Sequence, residues 1–120
     1  MDRYTEVVKR LKGPVVPLNI CCTAEGLIDY PAQRHYVDWL CEQGVPVVLL
    51  TYGSSEFSLL SDADLWRLSA EMAEVVAGRA LMIGSTGYWN VKVCRDFLRH
   101  AEQAGLDGVK VQMNPWMGQV

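Results

Sequence analysis

The sequence predicts an α/β fold built on a parallel sheet, and three observations predict it. Apolar, strand-like runs begin near residues 15, 45, 80 and 108, about 30 residues apart, which is the size of a βα unit. Amphipathic helical patterns fill the intervals between them. The run Val45 to Thr51 (VPVVLLT) is too short for a helix and apolar throughout, as in a strand buried on both faces of a parallel sheet. The order is therefore βαβαβαβ behind a short N-terminal helix, with right-handed crossovers.

Taken in order, Tyr4 to Leu11 forms a short amphipathic helix that Gly13-Pro14 stops. Val15 to Ile20 is the first strand, with Pro17 awkward for a sheet centre. Thr23 to Gly26 turns the chain. Asp29 caps a helix with Pro31 in its first turn, running to about Gln43, with Gly44 beyond its end. Its apolar stripe is read from Tyr36, Trp39 and Leu40. The second strand, Val45 to Thr51, is followed by a polar loop, Tyr52 to Leu60. Ser61 and Asp64 then resemble a capping box for a helix to about Ala77, closed by Gly78. Ala80 to Ile83 is the third strand and 84–87 its loop. Asn90 to Ala104 is a helix closed by Gly105, and Gly108 to Met113 is the fourth strand, broken by Asn114-Pro115.

Length and charge restrict what such a chain does. A length of 120 residues, 50% hydrophobic, suits one domain spanning 1–120 with material for a core. A net charge of −3 argues against nucleic acid, whose binding needs a basic surface. No apolar run approaches the roughly 20 residues of a spanning helix, and the polar start lacks a signal peptide's apolar region. A cytoplasmic protein away from membranes is the expectation. The four cysteines, Cys21, Cys22, Cys41 and Cys94, contain no CxxC pair and read as buried reduced thiols. Neither histidine has an acidic or thiol partner at ligand spacing, so no metal and no cofactor are expected.

Two architectures use this βα unit. One is an open doubly wound sheet of four or five strands, and the other is a (β/α)8 barrel of about 250 residues. Ordered motifs favour the barrel. Gly13 to Gly26 followed by Leu27-Ile28-Asp29, then Val37 to Gly44, resemble the first strand, turn and first helix of the dihydrodipicolinate synthase / N-acetylneuraminate lyase family. Tyr52-Gly53-Ser54-Ser55-Glu56-Phe57 stands where that family has G-T/S-T-G-E. Leu60-Ser61-Asp62, Gly78-Arg79, Ala104 to Gly108 and Asn114-Pro115-Trp116-Met117 resemble later landmarks, the last of them the family's P-P-Y-Y/L. The resemblance covers nearly the whole chain.

The resemblance implies the N-terminal half of a TIM barrel, strands one to four, from a family of Schiff-base pyruvate aldolases and lyases. It implies a small 2-keto acid such as pyruvate as partner, a lysine Schiff base as the means of condensation, cleavage or dehydration, and a homo-oligomer. The family's first loop hydroxyl falls on Gly53 and its second on Ser54, and the relay tyrosine has no clear counterpart near Trp116. The family's catalytic tyrosine and lysine belong to strands five and six, so these residues alone are expected to be inactive.

Gly53, Ser54 and Ser55 follow strand two, where free N–H groups and hydroxyls suit a keto-acid carboxylate; the plainer reading is a polar loop bonding its own backbone. Trp116 and Met117 are possible site-lining residues after strand four. Glu56 is a candidate acid, or a backbone acceptor near a helix start. In Val109-Lys110-Val111-Gln112-Met113 the alternation sets Lys110 on the barrel face if the apolar residues face helices. A desolvated amine there is a candidate for imine chemistry, and a solvated lysine is the alternative. Tyr88 and Trp89 are read as stacking on a ligand or covering the core, Met72 and Met82 as core, and Arg95, Arg99 and His100 as a solvated helix face. Two non-catalytic readings stand beside the lyase: an open-sheet binding module, and a half-barrel that self-associates. Four strands leave two edges and an inner face, and the second strand's apolar inner residues are expected to meet water.

Overall fold

The computed structural model describes residues 2–50, 60–85 and 91–111. Helix α1 spans Arg3–Arg10, strand β1 Val15–Pro17, α2 Tyr30–Glu42, β2 Val47–Leu50, α3 Asp62–Val76, β3 Leu81–Ser85, α4 Val91–Ala104 and β4 Gly108–Lys110. The four strands form one parallel sheet in the order β1-β2-β3-β4. A sheet whose strands follow sequence order, with each helix returning over one face, is a sector of a barrel and not a doubly wound sheet.

Local chemistry starts and stops the helices. Asp2 accepts from the Thr5 N–H at 2.9 Å and Asp29 from the Ala32 N–H at 3.0 Å. Ser61 and Asp64 form the full reciprocal box: the Asp64 N–H donates to Ser61 Oγ at 3.1 Å, and the Ser61 N–H donates to Asp64 Oδ2 at 3.2 Å. Helix α2 ends where Gly44 takes a φ of 82°, open only to a residue without a Cβ clash.

The sheet has two faces. Val48, Leu50 and Met82 look toward the helices and pack with Val37, Leu40, Leu68, Met72 and Phe97. Met72 and Met82 are core residues, as expected. On α2 the buried face is Gln33, Val37, Leu40 and Cys41, while Trp39 is exposed. That corrects the stripe drawn through Trp39: one turn after Gln33, the line that meets the sheet passes through Val37. His100 is also corrected. Its ring stacks on Trp66, with centroids 4.6 Å apart, and its Nε2 lies 2.8 Å from the Trp66 carbonyl, joining α4 to α3.

The opposite, inner face carries Val15, Val47, Leu49, Ile83 and Gly108. With Val7 of α1 and Leu11, which caps its end, these residues line a hollow of about 380 Å³. Helix α1 is held at the N-terminal end of the sheet, where Arg10 donates to the Gly78 carbonyl at 2.9 Å and Arg3 to that of Leu106 at 2.8 Å. All four β2 residues are buried, which corrects the expectation that their inner side chains meet water.

Strand limits shift for identifiable reasons. β1 stops at Pro17, three residues before the expected Ile20, because a side chain takes over the backbone groups that follow. β3 runs on through Gly84 and Ser85, expected as loop, because Gly84 pairs with Val109 and Ser85 with Lys110. Pro17 sits in an edge strand. The Leu18 N–H donates to the Leu49 carbonyl at 2.9 Å, so by alternation the nitrogen of Pro17 faces away from β2, where a missing donor does no harm.

Two helix carboxylates, Asp2 at the α1 cap and Asp96 on α4, couple stability to pH. Hydrogen bonds from Thr5 hold the Asp2 carboxyl below its ordinary value of 3.8, and Lys92 does the same for Asp96. A depressed folded pKa means that the unfolded chain binds more protons in this range. The stabilisation is thus present above about pH 4 and lost as pH falls below it. Thermal melts in acid are expected to show Asp2→Asn and Asp96→Asn losing less stability on acidification than the parent chain.

Candidate functional site

Parallel pairing brings the C-terminal ends of all four strands to one rim, marked by Pro17, Leu50, Ser85 and Lys110. In a βα barrel this rim carries the chemistry. The segment 51–59 joins the β2 end to the α3 cap. Gly53, Ser54, Ser55 and Glu56 lie outside the described residues, as do Tyr88, Trp89, Trp116 and Met117.

Lys110 lies within them. It pairs in register with Ser85, while Val109 pairs with Gly84. Gly84 faces Leu106 and Phe97 on the helix side, so Ser85 and Lys110 share the inner face at the rim, as alternation predicted. Lys110 lines the inner hollow beside Leu49 and Ile83.

The first rim loop is fixed by a residue that belongs to none of the sequence motifs. Gln33 on α2 is fully buried. Its Oε1 accepts from the Cys21 N–H at 2.7 Å and its Nε2 donates to the Asn19 carbonyl at 3.0 Å. This clamp ends β1 and sets the course of the chain across the rim. An amide on an otherwise apolar helix face, four residues before Val37, was the available signal.

Beyond Cys21 the chain closes a small bridge, Cys22 against Ile28. Between the starts of α2 and α3 lies a cleft of about 570 Å³, with Ile20, Cys22, Ile28, Leu60 and Arg67 in its wall. The Arg67 guanidinium stands 3.6 Å over the Tyr30 ring and bonds Glu71 at 2.8 Å.

The thiols differ from the expectation of uniform burial. Cys41 is buried, Cys21 and Cys94 are half-buried, and Cys22 is exposed because it sits on the turn outside the sheet. Burial raises the Cys21 thiol above its ordinary value, with Asp29 and Cys22 adding to the effect; burial likewise raises Cys41. Since the thiolate is the nucleophile, iodoacetamide is expected to modify Cys22 first and Cys41 only on unfolding. Peptide mapping that finds Cys41 labelled as fast as Cys22 contradicts this placement. Among the described residues no cluster of three or more metal-ligating side chains occurs.

Residues 10–120 match the Dihydrodipicolinate synthetase family. The chain belongs to that family. It is 33% identical over 101 residues to a 4-hydroxy-tetrahydrodipicolinate synthase of Brucella abortus biovar 1 (strain 9-941), covering 84% of this chain and 34% of that protein. The Escherichia coli K12 family member YagE, solved in complex with pyruvate, superposes with a TM-score of 0.78 at 28% identity, over 84% of this chain and 34% of YagE. The dihydrodipicolinate synthase of Oceanobacillus iheyensis superposes with a TM-score of 0.82 over 93% of this chain and 38% of its own; at 23% identity it speaks to the fold alone. This family member thus spans about a third of the length of its relatives. The match covers strands one to four of a barrel. No helix among its described residues is long and apolar enough to cross a membrane.

Proposed function

We propose that these residues are the N-terminal half of a pyruvate-dependent lyase, and that their part in it is to bind the carboxylate of a 2-keto acid. Family membership over residues 10–120 is the observation that carries this reading. The pyruvate complex of YagE supports the substrate class. In this reading Gly53, Ser54 and Ser55 offer backbone N–H groups and hydroxyls to the carboxylate. Such charge-assisted bonds are worth about 1.5–3 kcal/mol each. Trp116 and Met117 line the same site after strand four. The division of labour follows from the resemblance: the imine-forming lysine is supplied by strand six and a catalytic tyrosine by strand five. This half binds and orients, and by itself does not turn over.

The test is a pyruvate titration followed by NMR. Ser54→Ala is expected to weaken binding by about tenfold or more, the equivalent of one charge-assisted bond. An unchanged affinity removes Ser54 from the site. Borohydride reduction in the presence of pyruvate completes the test. The absence of an adduct is expected, whereas an adduct lost in Lys110→Met assigns the imine to this chain's own rim lysine.

A further inference from the structure

The inner wall of the sheet changes character in one step. Across the strands in register, one inward row is Val15, Val47 and Leu81, and the next is Pro17, Leu49, Ile83 and Gly108. Both rows are apolar, and Val47 and Leu81 are fully buried. The row beyond them, toward the strand ends, sets Ser85 beside Lys110. Branched apolar side chains dominate the interior of a βα barrel. Here the last described row offers a hydroxyl and an ammonium instead. Ser85 is only 2% exposed, and Lys110 is half-buried. Among the described residues, Lys110 is the one charged residue in the four strands.

We propose that Lys110 and Ser85 form a second anion subsite on the inner wall, which takes the distal carboxylate of a 2-oxo dicarboxylic acid. The proposal rests on the reading of Gly53, Ser54 and Ser55 as the groups that hold the first carboxylate. Three arguments support it. First, a lysine on an apolar wall lays its stem along that wall and keeps its charged head at the wetter end. Lys110 lines the hollow with Leu49 and Ile83, and the wetter end is the rim. Secondly, an ammonium drawn out of water favours an anionic neighbour, because burying charge is costly unless it is paired. Its three donors leave one for a ligand oxygen beside any contact that the protein itself supplies. Thirdly, Ser85 adds an O–H donor in the same row, so the two carboxylate oxygens each meet a donor.

The spacing sets which ligand profits. β4 stands two strands from β2, about 10 Å across the sheet. An acid anchored after β2 must therefore lengthen across the mouth before it meets this row. The methyl group of pyruvate is too short for that, whereas the far carboxylate of a longer 2-oxo acid lies toward β4. Leu49 and Ile83, in the row beneath, offer such a group no donor. Discrimination between the two acids thus falls on Lys110, with Ser85 in support.

Parallel NMR titrations of the 120-residue chain with pyruvate and with 2-oxoglutarate test this. The parent chain is expected to hold 2-oxoglutarate about tenfold more tightly than pyruvate, the equivalent of one charge-assisted bond. Lys110→Met is expected to abolish that preference, Lys110→Arg to keep most of it and Lys110→Glu to reverse it. Ser85→Ala is expected to reduce it in part. Ser54→Ala is expected to weaken both acids and leave their ratio as it was, which separates the two ends of the ligand. Amide spectra establish that the variants are folded, and Lys110→Glu serves if Lys110→Met does not fold. A parent chain that holds both acids equally, or a preference that survives the loss of the Lys110 charge, overturns the subsite and leaves the pyruvate reading in place. A chain that binds neither acid overturns both. A borohydride-trapped adduct on Lys110 also overturns the subsite, because that nitrogen then forms the imine and does not hold a carboxylate.

Discussion

Replacing Gln33 by leucine is expected to destabilise the chain by about 1–3 kcal/mol, although the two side chains are close in size. The substitution leaves the Cys21 N–H and the Asn19 carbonyl without the partners they now have at 2.7 and 3.0 Å. Both bonds are part-buried, so each group stripped of its partner costs about 1–2 kcal/mol, and leucine's better transfer into the core offsets part of the total. For a chain of this length the whole stability is on the order of 6–18 kcal/mol, so the loss shows directly as a lower urea midpoint. A second readout separates clamp from core. Cys21 is held half-buried by the chain's course after β1, so freeing Asn19 and Cys21 is expected to speed alkylation of Cys21 while leaving Cys41 protected. A shift of less than about 1 kcal/mol, with Cys21 as slow as before, would show that the Gln33 bonds do not hold the loop.

The fold was legible in the sequence wherever local chemistry and periodicity agreed. The Ser61/Asp64 box, the Asp29 cap with Pro31 behind it and the apolar run of β2 each name their structure unaided. What was not legible depended on partners distant in the chain. Ser85 belongs to β3 because Lys110 lies beside it, 25 residues later in the sequence. β1 ends early because an amide on α2 claims its next backbone groups. His100 leaves the solvated face only because Trp66, on another helix, offers it a ring and a carbonyl. Trp39 was read into the core since apolar spacing alone does not tell a core face from a flank; the ion pairs of Arg34 and Asp38 with α3 and its following turn settle that. Of the site, the rim position of Lys110 followed from alternation. Residues Gly53, Ser54, Ser55, Trp116 and Met117 rest on motif order, because a loop motif fixes which groups are present and not where they point.

Gly84 offers the second large effect, and it is best measured as a cycle. A Cβ built at Gly84 collides with Leu106 Cδ2 and comes within 3.3 Å of Phe97 Cζ, both buried between α4 and the sheet. Gly84→Ala is therefore expected to cost about 1–3 kcal/mol through overpacking, even though alanine is the better strand residue. Leu106→Ala empties the same space and is expected to cost about 2–5 kcal/mol through lost burial and the cavity left behind. Combined, the two changes compensate, because the new methyl group enters the volume that the leucine vacates. The double variant is expected to be more stable than the sum of the single effects by at least about 1 kcal/mol, as residues sharing one cavity do not behave independently. Additivity within about 0.5 kcal/mol in urea unfolding would place Gly84 and Leu106 out of contact. It would also undo the helix-side assignment of Gly84, from which the inner-face position of Ser85 and Lys110 follows.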